Sequence, residues 1–344
     1  MARKRQRITL EDVAREAGVS PMTVSRVINN TGRISQATRE HVREVIARLD
    51  YRPSRIARSL VTNETHMIGL VVPDIASPYF AEIVQGAEEI AWEKGYSILL
   101  ANTSENPQRE LAVLPQIEET KVDGLIWCSS RLPEETLLAL LEKHASAVVV
   151  NRQAPPHLAS VVRSRHGLGY RARRAAAFLI QTGRRRIGYL QLYRSAAAAP
   201  IEDFMAELAR WGVEINRAWY IPCAPLWQSG YEHTQQLIAR HPELDAIIGG
   251  NDLVALGAMR AVLEAGRRVP DDIAIIGGDD IFLAGQVTPA LTTFHVPKHE
   301  IGVMAARLLF KRLEGDTTYH EHLFDERLIV RESAPLPPGV TLDL

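Results

Sequence analysis

Two groups of residues in this 344-residue chain have types and spacings suited to recognition chemistry. The first is Val19-Ser20-Pro21-Met22-Thr23-Val24-Ser25-Arg26-Val27-Ile28-Asn29. Ser20 is suited to cap a helix, and Pro21 to its first position, where no N–H is needed. With Val19, Val24 and Val27 on the packing side, Pro21, Met22, Thr23, Ser25 and Arg26 face outward. Short hydroxyls and a guanidinium at one exposed helix end suit base edges and phosphate oxygens. The second group stands where apolar runs end: Asn251 after 246–249, and Asp279 in the Gly277-Gly278-Asp279-Asp280 turn after 273–277. In open α/β sheets, small ligands sit outside the carboxyl ends of the strands. Capping of the next helix is the other use open to Asp279.

The first group needs a small helical platform. Thr9 is a candidate cap with Asp12 three residues on, and Leu10, Val13, Ala14 and Ala17 form one apolar stripe. Gly18 permits the left-handed turn that ends such a helix. Two short helices joined by a glycine-containing turn make a helix-turn-helix, whose second helix enters the DNA major groove. A third helix over 35–49, with Val42, Ile46 and Leu49 inward, closes the core. Pro53 then starts a short helix with Arg55 and Arg58 on its polar face; its apolar residues Ile56, Ala57 and Leu60 are too few for a core. A helix of that length is marginal alone and needs a partner, either a second copy of itself or DNA. Charge points the same way. Residues 1–61 hold 13 Lys/Arg against 6 Asp/Glu, and the other 283 hold 27 against 35. A formal net charge of -1 therefore conceals a basic, polyanion-seeking head on an acidic body.

The second group needs parallel sheets. Apolar runs at 68–72, 97–101, 124–127, 147–150, 186–190, 246–249 and 273–277 alternate with helical patterns. These patterns fall at about 79–94, 107–119, 133–143, 167–182, 201–211, 229–240, 252–265 and 298–313. Continuous apolar strands separated by helices mark parallel sheets covered on both faces. The expected fold class is a small all-α helix-turn-helix head, residues 1–61, plus an α/β body, residues 62–344, of two doubly wound parallel-sheet lobes.

Catalytic classes find little support. There is no Walker loop, and no Ser-His-Asp order or metal spacing occurs. Gly167-Leu168-Gly169 lacks the third glycine of a dinucleotide fingerprint and reads as the start of a helix. His320 and His322 fall in a loop-like stretch and read as surface. Cys128 and Cys223 are too few and too far apart for a disulfide framework or a zinc site. No window approaches the roughly 18 apolar residues of a membrane span, and the basic start has no apolar h-region. The expectation is a cytoplasmic protein with no enzyme activity, no cofactor and no metal.

On these residues the chain resembles the lactose/galactose repressor (LacI/GalR) family of bacterial transcription regulators. Leu10 to Asn29 carry the resemblance in the head, with Tyr51-Arg52-Pro53-Ser54, Ala57 and Leu60 at the right distance after them. It continues through Pro78-Tyr79-Phe80-Ala81-Glu82, Val122-Asp123-Gly124, Asn251-Asp252, Val269-Pro270-Asp271 and Pro289-Ala290-Leu291-Thr292-Thr293, and spans the chain to about residue 334. The resemblance implies that the helix from Pro21 reads the major groove of a pseudo-palindromic operator. Pro21, Met22 and Arg26 would contact bases, Thr23 and Ser25 phosphates, and Asn29 would complete the set. It implies a hinge helix over 54–60 that enters the minor groove as a symmetric pair in a homodimer, with Arg55 and Ala57 on it and Leu60 wedged between base steps. For the body it implies a periplasmic-binding-protein-like pair of lobes with three crossovers and a small effector, such as a sugar or sugar acid, in the cleft. Tyr79 and Phe80 would form an apolar wall there, and Asn251 and Asp279 would hydrogen-bond ligand hydroxyls. An ordinary core position is the alternative for Tyr79 and Phe80.

The chain departs from the family pattern at two places. Arg165 and His166 stand where an Asp-Asn pair is usual, and Pro200 stands where a sugar-anchoring arginine is usual. One reading is a pocket retuned for an anionic ligand, with Arg163, Arg165 or His166 as the charge partner. The other is an effector site that has decayed or moved. A two-lobed solute-binding protein is the competing class, and residues 8–60 weigh against it.

Overall fold

The computed structural model describes residues 8–51, 64–144, 146–166, 169–192 and 201–339. The chain divides into two compact units, Met1–Thr65 and His66–Leu344. The expected hinge helix, with Arg55, Ala57 and Leu60, lies outside the described residues, as do Pro200, Gly167 and Leu168.

The head is three helices, each fixed at its start by a side-chain cap. Helix α1 (Leu10–Ala17) begins with a capping box: Thr9 Oγ1 accepts from Asp12 N at 3.3 Å and the Asp12 carboxylate accepts from Thr9 N at 3.0 Å. Gly18 ends it with φ 65, a conformation costly for any residue with a side chain. In α2 (Pro21–Ile28), Ser20 Oγ accepts from Thr23 N at 3.1 Å; Ser35 plays the same part for α3 (Gln36–Arg48). Val13, Ala14, Ala17, Val24, Val27, Val42 and Val45 are buried together. Val45 joins Val42 at the centre, whereas Ile46 and Leu49 are half-buried at the rim. The inward face of α3 is therefore turned by one residue from the face expected.

The body has two parallel sheets. The first has the order β11-β5-β4-β3-β1-β2, with β1 (Met67–Val72), β2 (Ser97–Asn102), β3 (Gly124–Cys128), β4 (Ala147–Val150), β5 (Ser160–Ser164) and β11 (Glu321–Phe324). Helices α4 (Pro78–Glu93), α5 (Pro107–Thr120), α6 (Glu134–Leu141) and α11 (Lys298–Leu313) belong to this lobe. The second sheet has the order β7-β6-β8-β9, with β6 (Ile187–Leu192), β7 (Tyr220–Cys223), β8 (Ala246–Gly249) and β9 (Ala274–Ile276). It is covered by α7 (Tyr170–Gln181), α8 (Ile201–Arg210), α9 (Trp227–Arg240) and α10 (Asp252–Glu264). A short antiparallel pair, β10 (Thr293–His295) and β12 (Arg327–Ile329), lies beside it.

The chain passes between lobes three times: from β5 to α7, from β10 to α11 and from β11 to β12. The helix that follows the second passage, α11, packs closely on α4 of the same lobe. A Cβ at Gly302 of α11 would meet the Ile83 carbonyl at 2.0 Å, and one at Gly86 of α4 would meet the His299 carbonyl at 2.1 Å. Only glycine lets the two helices approach so closely.

Besides the antiparallel pair β10 and β12, three strands of the parallel sheets are absent from the sequence reading. β11 runs through the stretch containing His322 that reads as a loop; it adds to the sheet edge in parallel beside β5. β7 contains Pro222, tolerated because it is an edge strand. β5 is short and ends in Arg163 and Ser164, so it presents no long apolar run.

Candidate functional site

In the head, Met22 is 63% exposed, a high value for so apolar a side chain. Pro21, Arg26 and Asn29 are also exposed, and Thr23 and Ser25 are half-buried. All six lie on or directly after α2, whose Val24 and Val27 face the core. Asn29 Nδ2 donates to Ser25 Oγ at 3.4 Å. The Arg26 side chain lies along the 29–33 loop, and a Cβ at Gly32 would meet its Cδ at 3.1 Å. This face offers hydroxyls, a guanidinium and a carboxamide on a rigid capped helix, a surface able to reach base edges.

In the body, a cavity of about 320 Å³ opens between the two sheets, at the carboxyl ends of β1, β3, β4, β6, β8 and β9. Its first-lobe wall carries Tyr79, Phe80, Ser129, Arg131, Asn151 and Arg152. Tyr79 and Phe80 meet edge to face with ring centres 5.1 Å apart. Asn151 Nδ2 donates to the Tyr79 hydroxyl at 2.9 Å and to Ser129 Oγ at 3.0 Å. Burial pushes the Tyr79 phenol up to about 12, so it stays a neutral donor. Arg131 is held bidentately by Glu105. Arg152 gives Nη1 to the Ser130 and Leu132 carbonyls at 2.8 and 3.1 Å and has no carboxylate within ion-pair distance among the described residues.

The second-lobe wall is built on Asp252, the first residue of α10 and fully buried. Its carboxylate accepts from Gly278 N at 2.7 Å, Asp279 N at 3.1 Å, Ile281 N at 2.8 Å and Thr293 Oγ1 at 2.5 Å. Burial and the nearby Asp279 charge raise its pKa, and these hydrogen bonds oppose the rise. A Cβ at Gly277 would fall 2.2 Å from Asp252 Oδ1, so a glycine is needed at the strand end. The loop hung in this way presents Asp279 to the cavity. Arg171, in the first turn of α7, reaches Asp279 Oδ1 at 3.0 Å and Glu326 Oε1 at 3.3 Å, and donates to the Gly278 carbonyl. Burial opposes the Arg171 charge, but the Glu326 and Asp279 carboxylates outweigh it and raise the pKa. Lys298, 3% exposed, gives Nζ to the Asp279 and Asp280 carbonyls at 2.9 and 2.8 Å.

Tyr79, Phe80, Asn251 and Asp279 thus line one cavity. Asn251 is spent largely on its own lobe: Oδ1 caps Val254 N at 2.9 Å and Nδ2 reaches the Pro225 carbonyl at 3.3 Å. Asn251 thus caps the helix that follows it, whereas the short helical turn after Asp279 (Phe282–Gly285) has Ile281 at its N-cap and no side-chain cap, so Asp279 does not cap it. Arg165 and His166 lie outside the cavity lining. Arg165 pairs with Asp325 at 2.9 Å on the exposed face, and His166 stacks on Tyr170 with ring centres 4.1 Å apart. Arg163 does line the cavity, but it pairs with Glu321 at 2.6 Å. The cavity arginine that meets Asp279 is Arg171. The sequence carried a signal for Asn151 and Ser129, which follow apolar strands; it carried none for Arg171 or Glu326, whose neighbours come from distant segments. Among the described residues no group of side chains could hold a metal ion, and no helix is long and apolar enough to cross a membrane.

Comparison with known proteins matches the head and the body separately. The family described as bacterial regulatory proteins, lacI family, matches residues 9–54. The family described as periplasmic binding proteins and sugar binding domain of LacI family matches residues 65–324. The chain belongs to the LacI family. It is 36% identical over 311 residues to the HTH-type transcriptional repressor PurR of Erwinia tasmaniensis, covering 89% of this chain and 90% of that protein. Among solved structures, the lac repressor dimer bound to operator and the anti-inducer ONPF is similar, with TM-score 0.83, 25% identity and coverage of 96% of this chain and 100% of that one. A transcriptional regulator CelR–cellobiose complex is similar at TM-score 0.69 and 31% identity, covering 95% and 100%. As a LacI-family member the protein is a DNA-binding transcription regulator: the head carries the DNA-binding function and the body the small-ligand function.

Proposed function

We propose that the protein is a homodimeric repressor of a carbohydrate or related catabolic operon. In this reading α2 reads each half of a pseudo-palindromic operator through Pro21, Met22, Thr23, Ser25, Arg26 and Asn29. The segment 54–60 pairs with its copy in the minor groove, Arg55 and Ala57 contact it, and Leu60 opens a base step. An effector held between Tyr79 and Phe80 on one lobe and Asp279 on the other shifts the lobes between two arrangements. That shift changes the spacing of the paired hinges. The observation that carries the reading is the exposed, capped α2 with its polar face, in one chain with an interlobe cavity walled by aromatic rings and a strand-end carboxylate. Cytoplasmic residence is part of the same proposal.

The test is selection of bound duplexes from a random pool by the full chain, followed by affinity measurements on variants. A two-fold related consensus is expected. Arg26→Ala should relax specificity at one position of each half-site by about 1–3 kcal/mol. Leu60→Ala should weaken the selected duplex more than a random one, because a kink serves only the specific complex. Equal losses on both duplexes would count against intercalation by Leu60, and a pool with no enriched sequence would remove the regulator reading.

A further inference from the structure

We propose that Arg171 is the specificity-determining residue of the cavity, selecting a neutral ligand that presents two adjacent hydroxyl groups, one to Asp279 and one to Arg171 itself. This rests on the cavity being the effector site. Arg171 Nη1 binds Asp279 Oδ1 at 3.0 Å and the Gly278 carbonyl, and Nε faces Glu326 Oε1 at 3.3 Å. Those contacts use one oxygen of Asp279 and two nitrogens of Arg171. Asp279 Oδ2 and Arg171 Nη2 have no hydrogen-bond partner among the described residues. The pair therefore offers one acceptor and one donor to the same end of the cavity. A vicinal diol satisfies both: one hydroxyl donates to Oδ2, and the oxygen of its neighbour accepts from Nη2.

The charges around Asp279 select against anions at this end of the cavity, while Arg152, which has no ion-pair partner among the described residues, stands on the first-lobe wall. Four carboxylates, Asp252, Asp279, Asp280 and Glu326, face three fixed cations, Arg171, Lys298 and Arg331, with His295 at 2.9 Å from Asp280. A ligand carboxylate or phosphate would add to an excess of negative charge here. An ammonium group would have to lie beside Arg171. A neutral polyol meets neither penalty. The pair is also held ready for it. Glu326 Oε2 accepts from Ser164 Oγ at 2.8 Å, and Lys298 and Asp252 fix the backbone of Asp279 on either side, so little ordering remains at binding.

The experiment is calorimetric titration of the full chain with D-ribose, D-glucose and cellobiose, and with D-gluconate and glucose 6-phosphate as anionic probes. The tightest sugar is then replaced by its monodeoxy analogues. At least one neutral sugar should bind, with both anions at least tenfold weaker. Loss of either of two adjacent hydroxyls should weaken binding about ten- to hundredfold. Arg171→Lys keeps the charge between Asp279 and Glu326 but loses the planar fork. It should bind the parent sugar about tenfold or more weaker and abolish one of the two deoxy penalties while keeping the other. Preference of the wild type for gluconate or the phosphate overturns the proposal, as do unchanged affinity and unchanged deoxy penalties in Arg171→Lys. Binding with that unchanged pattern removes only the role of Arg171. If none of the five probes binds, the effector reading falls and this proposal with it.

Discussion

In the head, the side chains proposed to face DNA lie on or directly after one eight-residue helix, which begins after the Ser20 cap that orients it. In the cavity, Asp279 is held by groups far away in sequence: Asp252 is 27 residues from it, Lys298 is 19 and Arg171 is 108. The head separates recognition from folding, because Val24 and Val27 are buried in the helical core while Met22 and Arg26 are exposed and outside it. The cavity does not separate them. The same Asp252 that aims Asp279 also satisfies three buried backbone N–H groups. A substitution in the head should therefore change binding with little cost in stability, and one in the cavity wall should change both.

The sharpest break of this comparison is Asp252→Ala. It strands the N–H groups of Gly278, Asp279 and Ile281 and the Thr293 hydroxyl in a buried loop, at a cost of about 3–5 kcal/mol. Denaturant unfolding of the body reads this directly, and a loss under about 1 kcal/mol would mean that the loop is held by other contacts. The same carboxylate sets a pH dependence. Burial and Asp279 raise its pKa from 3.8 to about 6, so the folded protein keeps its proton to higher pH than the unfolded chain. Its contribution is most favourable in acid and is lost as pH rises from about 4 to 6. Asp252→Asn should flatten the midpoint of unfolding against pH in that window.

Next in size is Gly302→Ala. Its Cβ would lie 2.0 Å from the Ile83 carbonyl, so α11 and α4 must part, at about 1–3 kcal/mol. Thermal unfolding of the body should report it, and an unchanged midpoint would show that the helix pair can slide. The smallest expected effect is in the head. Ser20→Ala removes the acceptor for Thr23 N and should cost about 1 kcal/mol, confined to the unfolding of the head. A shift in the unfolding of the body instead would join two regions that the comparison keeps apart.

This contrast also explains what the sequence could show. Caps at Thr9 and Ser20, the turn at Gly18 and the apolar spacing are local rules, so the three head helices and their outward residues were legible. The central strands of both sheets were legible because continuous apolar runs such as 147–150 have one physical use. Of the edge strands, β2 and β9 are apolar runs and were legible, whereas β7 and β11 were not. β7 contains a proline, and β11 is polar through Glu321 and His322 and takes its identity only from pairing with β5. Strand-end position sufficed to place Asp279 in the cavity lining. The arginine in the cavity lining beside Asp279 was not legible. Arg165 lies near the expected place in sequence, yet it turns outward to Asp325, while Arg171 turns inward because Glu326 and Asp279 wait there. No periodicity encodes a partner 155 residues away (Arg171 to Glu326).

The most direct test of the division of labour is fluorescence anisotropy of a selected duplex with the full chain and with residues 62–344, at one salt concentration. The full chain should bind the selected duplex far more tightly than a random one. Residues 62–344 should bind neither, while keeping the cooperative unfolding of the body. Comparable affinity of that fragment for the selected duplex would contradict the account, because DNA recognition would then not reside in α2 and the segment that follows it.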